Sequence, residues 1–121
     1  MKFLHVRFRV SDQERSVAFY RDILGMKEVR RLTSPAGNSL VFMEMPGSET
    51  LLELAWSPDF GKVRLQEDLI HLAFGVEDME GLLRHCVEAG LELWPADALE
   101  RGSDMVFISD PDGYEIELLK R

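Results

Sequence analysis

Cysteine is almost missing from this chain. There is one in 121 residues, Cys86, so no disulfide can form within the chain, and a reducing compartment, the cytoplasm, is the expected setting. Basic residues are in short supply: 14 Lys and Arg stand against 22 Asp and Glu, a net charge of −8. That excludes a nucleic-acid partner, whose phosphates need a basic footprint. An anionic substrate would have to be met by local basic residues. Long apolar runs are absent too. Nothing approaches the roughly 18 residues of a membrane span, and the first five residues carry no signal-peptide hydrophobic region. No membrane partner is expected. What remains, 45% hydrophobic and 30% charged, reads as one globular domain.

That domain contains a repeat. His5-Val6-Arg7-Phe8-Arg9-Val10 returns as His71-Leu72-Ala73-Phe74-Gly75-Val76, with the histidine, phenylalanine and last valine in register. Leu52-Glu53-Leu54 returns as Ile116-Glu117-Leu118. Alternation over 3–10 predicts a strand. Ser11-Asp12-Gln13-Glu14 reads as a capping box opening a helix that carries Val17, Tyr20 and Leu24, and Gly25 suits its left-handed end. Strands follow at 26–33, 39–45 and 49–56, and residues 58–67 read as a linker. The second half is expected to repeat the order: a strand at 69–76, a helix capped by Asp78 and ended by Gly90, then strands at 91–96, 104–109 and 114–120. Asp110-Pro111-Asp112-Gly113 is the turn before the last. The expectation is an α+β fold of two βαβββ modules, 1–57 and 68–121, pairing into a concave sheet with helices outside.

Strand parity selects the functional residues. Apolar positions must face the covering helix, which sends the alternate set to the other side. His5, Glu53, His71 and Glu117 all fall in that alternate set. Two imidazoles and two carboxylates suit a borderline divalent cation, balance its charge and leave coordination positions open. Glu115 shares the face of Glu117, but register with Glu53 favours Glu117. Cys86 belongs to the apolar stripe of the second helix, and His85 on that helix is expected in solvent. Trp56 and Trp94 fit either core or pocket wall, and Phe60 and Met105 are candidate cleft residues.

These motifs resemble the vicinal-oxygen-chelate superfamily, and within it the short bacterial glyoxalase I (lactoylglutathione lyase), over essentially the whole chain. The resemblance implies the glyoxalase/bleomycin resistance/dihydroxybiphenyl dioxygenase fold. It implies a metal held by His5, Glu53, His71 and Glu117, with Ni²⁺ or Co²⁺ favoured and Zn²⁺ possible. It also implies isomerisation of the hemithioacetal of methylglyoxal and a thiol to a 2-hydroxyacyl thioester, through an enediolate that the metal stabilises as a Lewis acid. Glu117 is then the principal base and Glu53 its symmetry partner. Arg9 matches an arginine that pairs with a glutathione carboxylate. Ser57 stands where the family has asparagine, and Arg101 takes the place of a lysine in a basic loop, so the thiol stays open. The family also implies a homodimer with sites at the interface. Competing readings are another metal-dependent member (epimerase, thiol transferase or dioxygenase), in which Glu53 would be dispensable, and a metal-free drug-binding protein. Arg7 and Arg9 stand where the second half has the small Ala73 and Gly75, which suits the first copy to gripping a substrate carboxylate.

Overall fold

The computed structural model describes all 121 residues, and the chain divides into two compact units, Met1–Arg64 and Leu65–Arg121. The division falls inside the stretch expected to join the halves. Its first residues belong to unit 1: the Val63 amide donates to Ser11 Oγ at 2.8 Å, and Arg9 Nη2 donates to the Phe60 carbonyl at 3.1 Å.

Unit 1 runs β1 (His5–Arg9), α1 (Gln13–Asp22), β2 (Lys27–Thr33), β3 (Ser39–Glu44) and β4 (Leu51–Trp56). The sheet order is β1-β4-β3-β2, with β1 parallel to β4 and the other neighbours antiparallel. Val17, Phe19 and Tyr20 of α1 are buried, as are Phe8, Val41, Met43, Leu52 and Leu54 on the strands. Burying such side chains contributes roughly 1.5–3 kcal/mol apiece. Gln13 ties the helix start to the sheet: its amide nitrogen donates to the Ser39 and Leu54 carbonyls at 3.0 and 3.1 Å, and Ser39 Oγ donates to its Oε1 at 2.7 Å. The opposite sheet face is apolar as well, with Leu40, Phe42 and Ala55 buried and Leu32, Leu51 and Phe60 packed against them.

The helix start differs from expectation. Asp12, not Ser11, is the N-cap, and its carboxylate accepts from the Arg15 amide at 3.1 Å. Ser11 is engaged instead with Val63, a contact distant in sequence. At the other end Gly25 adopts φ 76°, and the Met26 amide reaches back to the Tyr20 carbonyl at 3.0 Å, a C-terminal closure that favours glycine.

Unit 2 runs β5 (His71–Val76), α2 (Met79–Glu88), α3 (Ala98–Arg101), β6 (Met105–Ser109) and β7 (Glu115–Lys120), in the order β5-β7-β6 with β5 parallel to β7. Asp78 caps α2 through the Gly81 amide at 2.9 Å. The turn at 110–113 closes with the Gly113 amide on the Asp110 carbonyl at 3.0 Å, while Asp110 Oδ1 accepts from the Asp112 and Tyr114 amides at 2.9 Å each.

The strand expected at 91–96 does not form, so the second half is not a full βαβββ unit. Only Trp94 pairs, in a single bridge to Phe107. Pro95 follows it and has no amide to extend a ladder, and α3 then begins at Ala98. Met79, Leu83 and Cys86 are the buried face of α2, while Val87 is exposed. No helix is long and apolar enough to cross a membrane.

Candidate metal and catalytic centre

Each unit brings one histidine onto one glutamate. In unit 1 the parallel register sets His5 opposite Leu51 and Arg7 opposite Glu53, so His5 and Glu53 are diagonal neighbours on the face away from α1. His5 Nε2 lies 3.3 Å from Glu53 Oε2. In unit 2 His71 is opposite Glu115 and Ala73 opposite Glu117, the same geometry one repeat later. His71 Nε2 lies 2.9 Å from Glu117 Oε2. The third neighbour also repeats. Phe42 on β3 stands opposite Glu53, and Phe107 on β6 opposite Glu117. Each ring meets its histidine edge to face, with centroids 5.4 and 5.6 Å apart.

The two pairs differ in burial and charge. Glu53 is 3% exposed and Glu117 16%. Arg7 Nε donates to Glu53 Oε1, and both Glu53 oxygens are therefore engaged. Ala73 offers Glu117 nothing comparable. A carboxylate as buried as Glu53 needs a cation or donors nearby, and His5 with Arg7 supplies them.

His71 has further acidic neighbours. Asp68, His71 and Glu115 each place a ligand atom within 4.8 Å of the others. Glu115 was weighed from the sequence, but Asp68 was missed. It lies just before β5 at φ 55°, outside any strand, where parity says nothing about direction. A cavity of about 440 Å³ lies on this side of unit 2, lined by Asp68, Trp94, Phe107, Ser109 and Glu115 among others. Trp94, 65% exposed, is pocket wall and not core.

The residues expected to grip substrate are placed as follows. Arg9 sits with its guanidinium carbon 4.0 Å from the centre of the Phe60 ring. Ser57 is buried, and its Oγ accepts from the Asp59 amide at 3.2 Å, which leaves its own proton to donate. Arg101 is exposed on α3 and pairs with Asp97 at 3.3 Å. It lines a different cavity of about 520 Å³ with Glu77, Asp78, Glu80 and Lys120, to which neither His71 nor Glu117 contributes. Met105 is exposed. Cys86 is fully buried, and burial pushes its thiol up to about 11, which makes it a core residue and a poor nucleophile.

The chain as a whole is similar to known proteins. A family profile described as the Glyoxalase/Bleomycin resistance protein/Dioxygenase superfamily matches residues 2–118. A lactoylglutathione lyase of Neisseria meningitidis is 33% identical over 100% of this chain and 91% of its own length. One of Salmonella typhimurium is 34% identical over 99% of this chain and 93% of its own. Among solved structures, the trypanothione-dependent glyoxalase I of Leishmania major superposes with a TM-score of 0.84 at 34% identity, covering 99% of this chain and 86% of that one.

Proposed function

The chain belongs to the Glyoxalase/Bleomycin resistance protein/Dioxygenase superfamily, and from that premise we propose that it is a metal-dependent isomerase of the glyoxalase I kind. Its substrate would be the hemithioacetal of methylglyoxal with glutathione or another small thiol, its product the 2-hydroxyacyl thioester, and its role methylglyoxal detoxification in the cytoplasm. The observation that carries this is the recurrence, at equivalent register in both units, of an imidazole nitrogen touching a carboxylate oxygen beside an edge-on phenylalanine.

The donor set fits a divalent cation. Two imidazoles and two carboxylates are borderline ligands whose charge offsets that of the ion. His5, Glu53, His71 and Glu117 are the proposed ligands, with Ni²⁺ or Co²⁺ favoured over Zn²⁺. When bound, the ion would supply Lewis-acid polarisation of two adjacent substrate oxygens. The chain's own residues do the rest. The Glu117 carboxylate takes the proton from the carbon bearing sulfur and returns it to the neighbouring carbon, while the hydroxyl proton passes from the oxygen of the first carbon to that of the second, which leaves the acid unchanged after each turnover. Arg9 grips a carboxylate of the thiol and Ser57 donates its hydroxyl proton, whereas Arg101, paired with Asp97 and lining a separate cavity, has no part in the site.

We assign the two pairs of one site to two copies of the chain, His5 and Glu53 from one and His71 and Glu117 from the other. Support comes from the residues directly before each histidine. Phe3 and Leu4 are 71% and 68% exposed, Leu69 and Ile70 63% and 42%. Apolar side chains flanking both pairs in this way are what a partner surface covers.

The test is to strip the protein of metal, reload it separately with Ni²⁺, Co²⁺ and Zn²⁺, and follow thioester formation from methylglyoxal and glutathione. Turnover with Ni²⁺ or Co²⁺ is expected. Loaded protein inactive with glutathione and every other small thiol overturns the substrate assignment. A Glu53→Gln protein with full activity would favour an epimerase, thiol transferase or dioxygenase instead. The cluster of Asp68, His71 and Glu115 supports a second reading of the metal centre, in which unit 2 holds the ion without His5 and Glu53.

A further inference from the structure

The repeat makes Glu53 and Glu117 equivalent, yet a catalyst that moves one proton needs only one of them mobile. We propose that Arg7 is a positioning residue that divides their roles, anchoring Glu53 by one oxygen so that it can ligate only through the other, and leaving Glu117 free to carry the proton. This rests on the metal-centre reading above and deepens it.

The division is visible atom by atom. Glu53 Oε1 receives the Arg7 Nε–H, and Glu53 Oε2 faces His5 Nε2 at 3.3 Å. No oxygen of Glu53 is left to approach a carbon. Glu117 meets His71 through Oε2 alone, and the position across the ladder, which in unit 1 is Arg7, is Ala73. Exposed ion pairs contribute little, but here the carboxylate is 3% exposed while Arg7 is 45% exposed, so the guanidinium fixes a buried acid from the solvent side and offsets its desolvation. Arg9, on the same face of β1, does not share this role, because it is engaged with the Phe60 ring and carbonyl.

Two consequences follow for a divalent ion. Arg7 competes with it for Glu53 Oε1, and Arg7 adds a cation beside it. Both weaken binding, and the first restricts Glu53 to one coordinating oxygen. Removal of Arg7 therefore tightens the ion and changes its coordination, while a guanidinium placed at Ala73 imposes the same restraint on Glu117.

The experiment titrates Co²⁺ into metal-stripped wild type, Arg7→Met and Ala73→Arg, reading affinity by calorimetry and coordination by the visible absorption of bound Co²⁺. Arg7→Met should bind about tenfold more tightly with an altered spectrum, and Ala73→Arg at least about tenfold more weakly, with most of its turnover lost. Unchanged affinity and spectrum in both variants overturns the role of Arg7 while leaving the metal centre standing. Wild type that binds no Co²⁺ overturns the metal centre and this inference with it. Should Arg7→Met fail to fold, Ala73→Arg, at an exposed position, decides alone: an unchanged Co²⁺ affinity overturns the proposal.

Discussion

The His–Glu pair of unit 1 and that of unit 2 are built on the same plan and finished differently. In unit 1 the acid is nearly sealed on an apolar sheet face and met by two side chains, His5 and Arg7. In unit 2 it is partly open and met by His71. The sheets around them differ likewise. β3 and β4 are buried along their central residues, whereas β5 alternates between exposed and half-buried. A duplicated module whose copies have diverged can fix a ligand with one half and keep a reactive group accessible with the other. Sequence symmetry selects the proposed site residues, and the departures from symmetry underlie the proposed division of their roles.

The largest expected effect is on the acids themselves. Glu117→Gln should lower kcat by about 10²–10⁴-fold, the range for losing a general base. Glu53→Gln should act mainly on metal affinity, read by the metal retained after gel filtration, with a smaller fall in kcat of fully loaded enzyme. Equal kcat losses for the two would break the division. The comparison of sheets predicts a stability difference at a matched pair. Phe8 and Phe74 hold the same place in the repeat, but Phe8 is 1% exposed and Phe74 half-buried. Phe8→Ala should cost about 3–5 kcal/mol of unfolding free energy in urea and Phe74→Ala roughly half that. The smallest effect concerns the helices. Tyr20 and Cys86 also match in the repeat, and both are fully buried. The folded thiol, pushed up to about 11 by burial, keeps its proton where the unfolded one, near 8.5, has begun to lose it. The folded state thus binds more protons above that point, and stability falls as pH rises from about 8.5 toward 11, by under about 1 kcal/mol at pH 9. Cys86→Ala should remove that slope in alkaline urea titrations.

Much of this was legible in the chain because it is local. Period-two alternation set which strand faces carry His5, Glu53, His71 and Glu117, and the Asp78 cap and the turn at 110–113 announce themselves through backbone chemistry. What was not legible depended on contacts distant in sequence. Ser11 and Asp12 can both cap a helix, and the choice was made by Val63, which occupies the serine. The stretch 91–96 alternates like a strand, but Pro95 leaves it one bridge. Asp68 lies in an irregular segment whose backbone no pattern predicts. Arg7 shares the parity of Glu53, but its contact with that acid depends on the parallel register of β1 and β4.

The most direct test of the central claim, that one ion needs a pair from each unit, is calorimetric titration of Ni²⁺ into metal-stripped wild type, His5→Ala and Asp68→Asn. One ion per chain in wild type, at least about a hundredfold weaker binding in His5→Ala and little change in Asp68→Asn is the predicted outcome. Full affinity in His5→Ala, with binding lost in Asp68→Asn, would contradict it and give the ion to unit 2 alone.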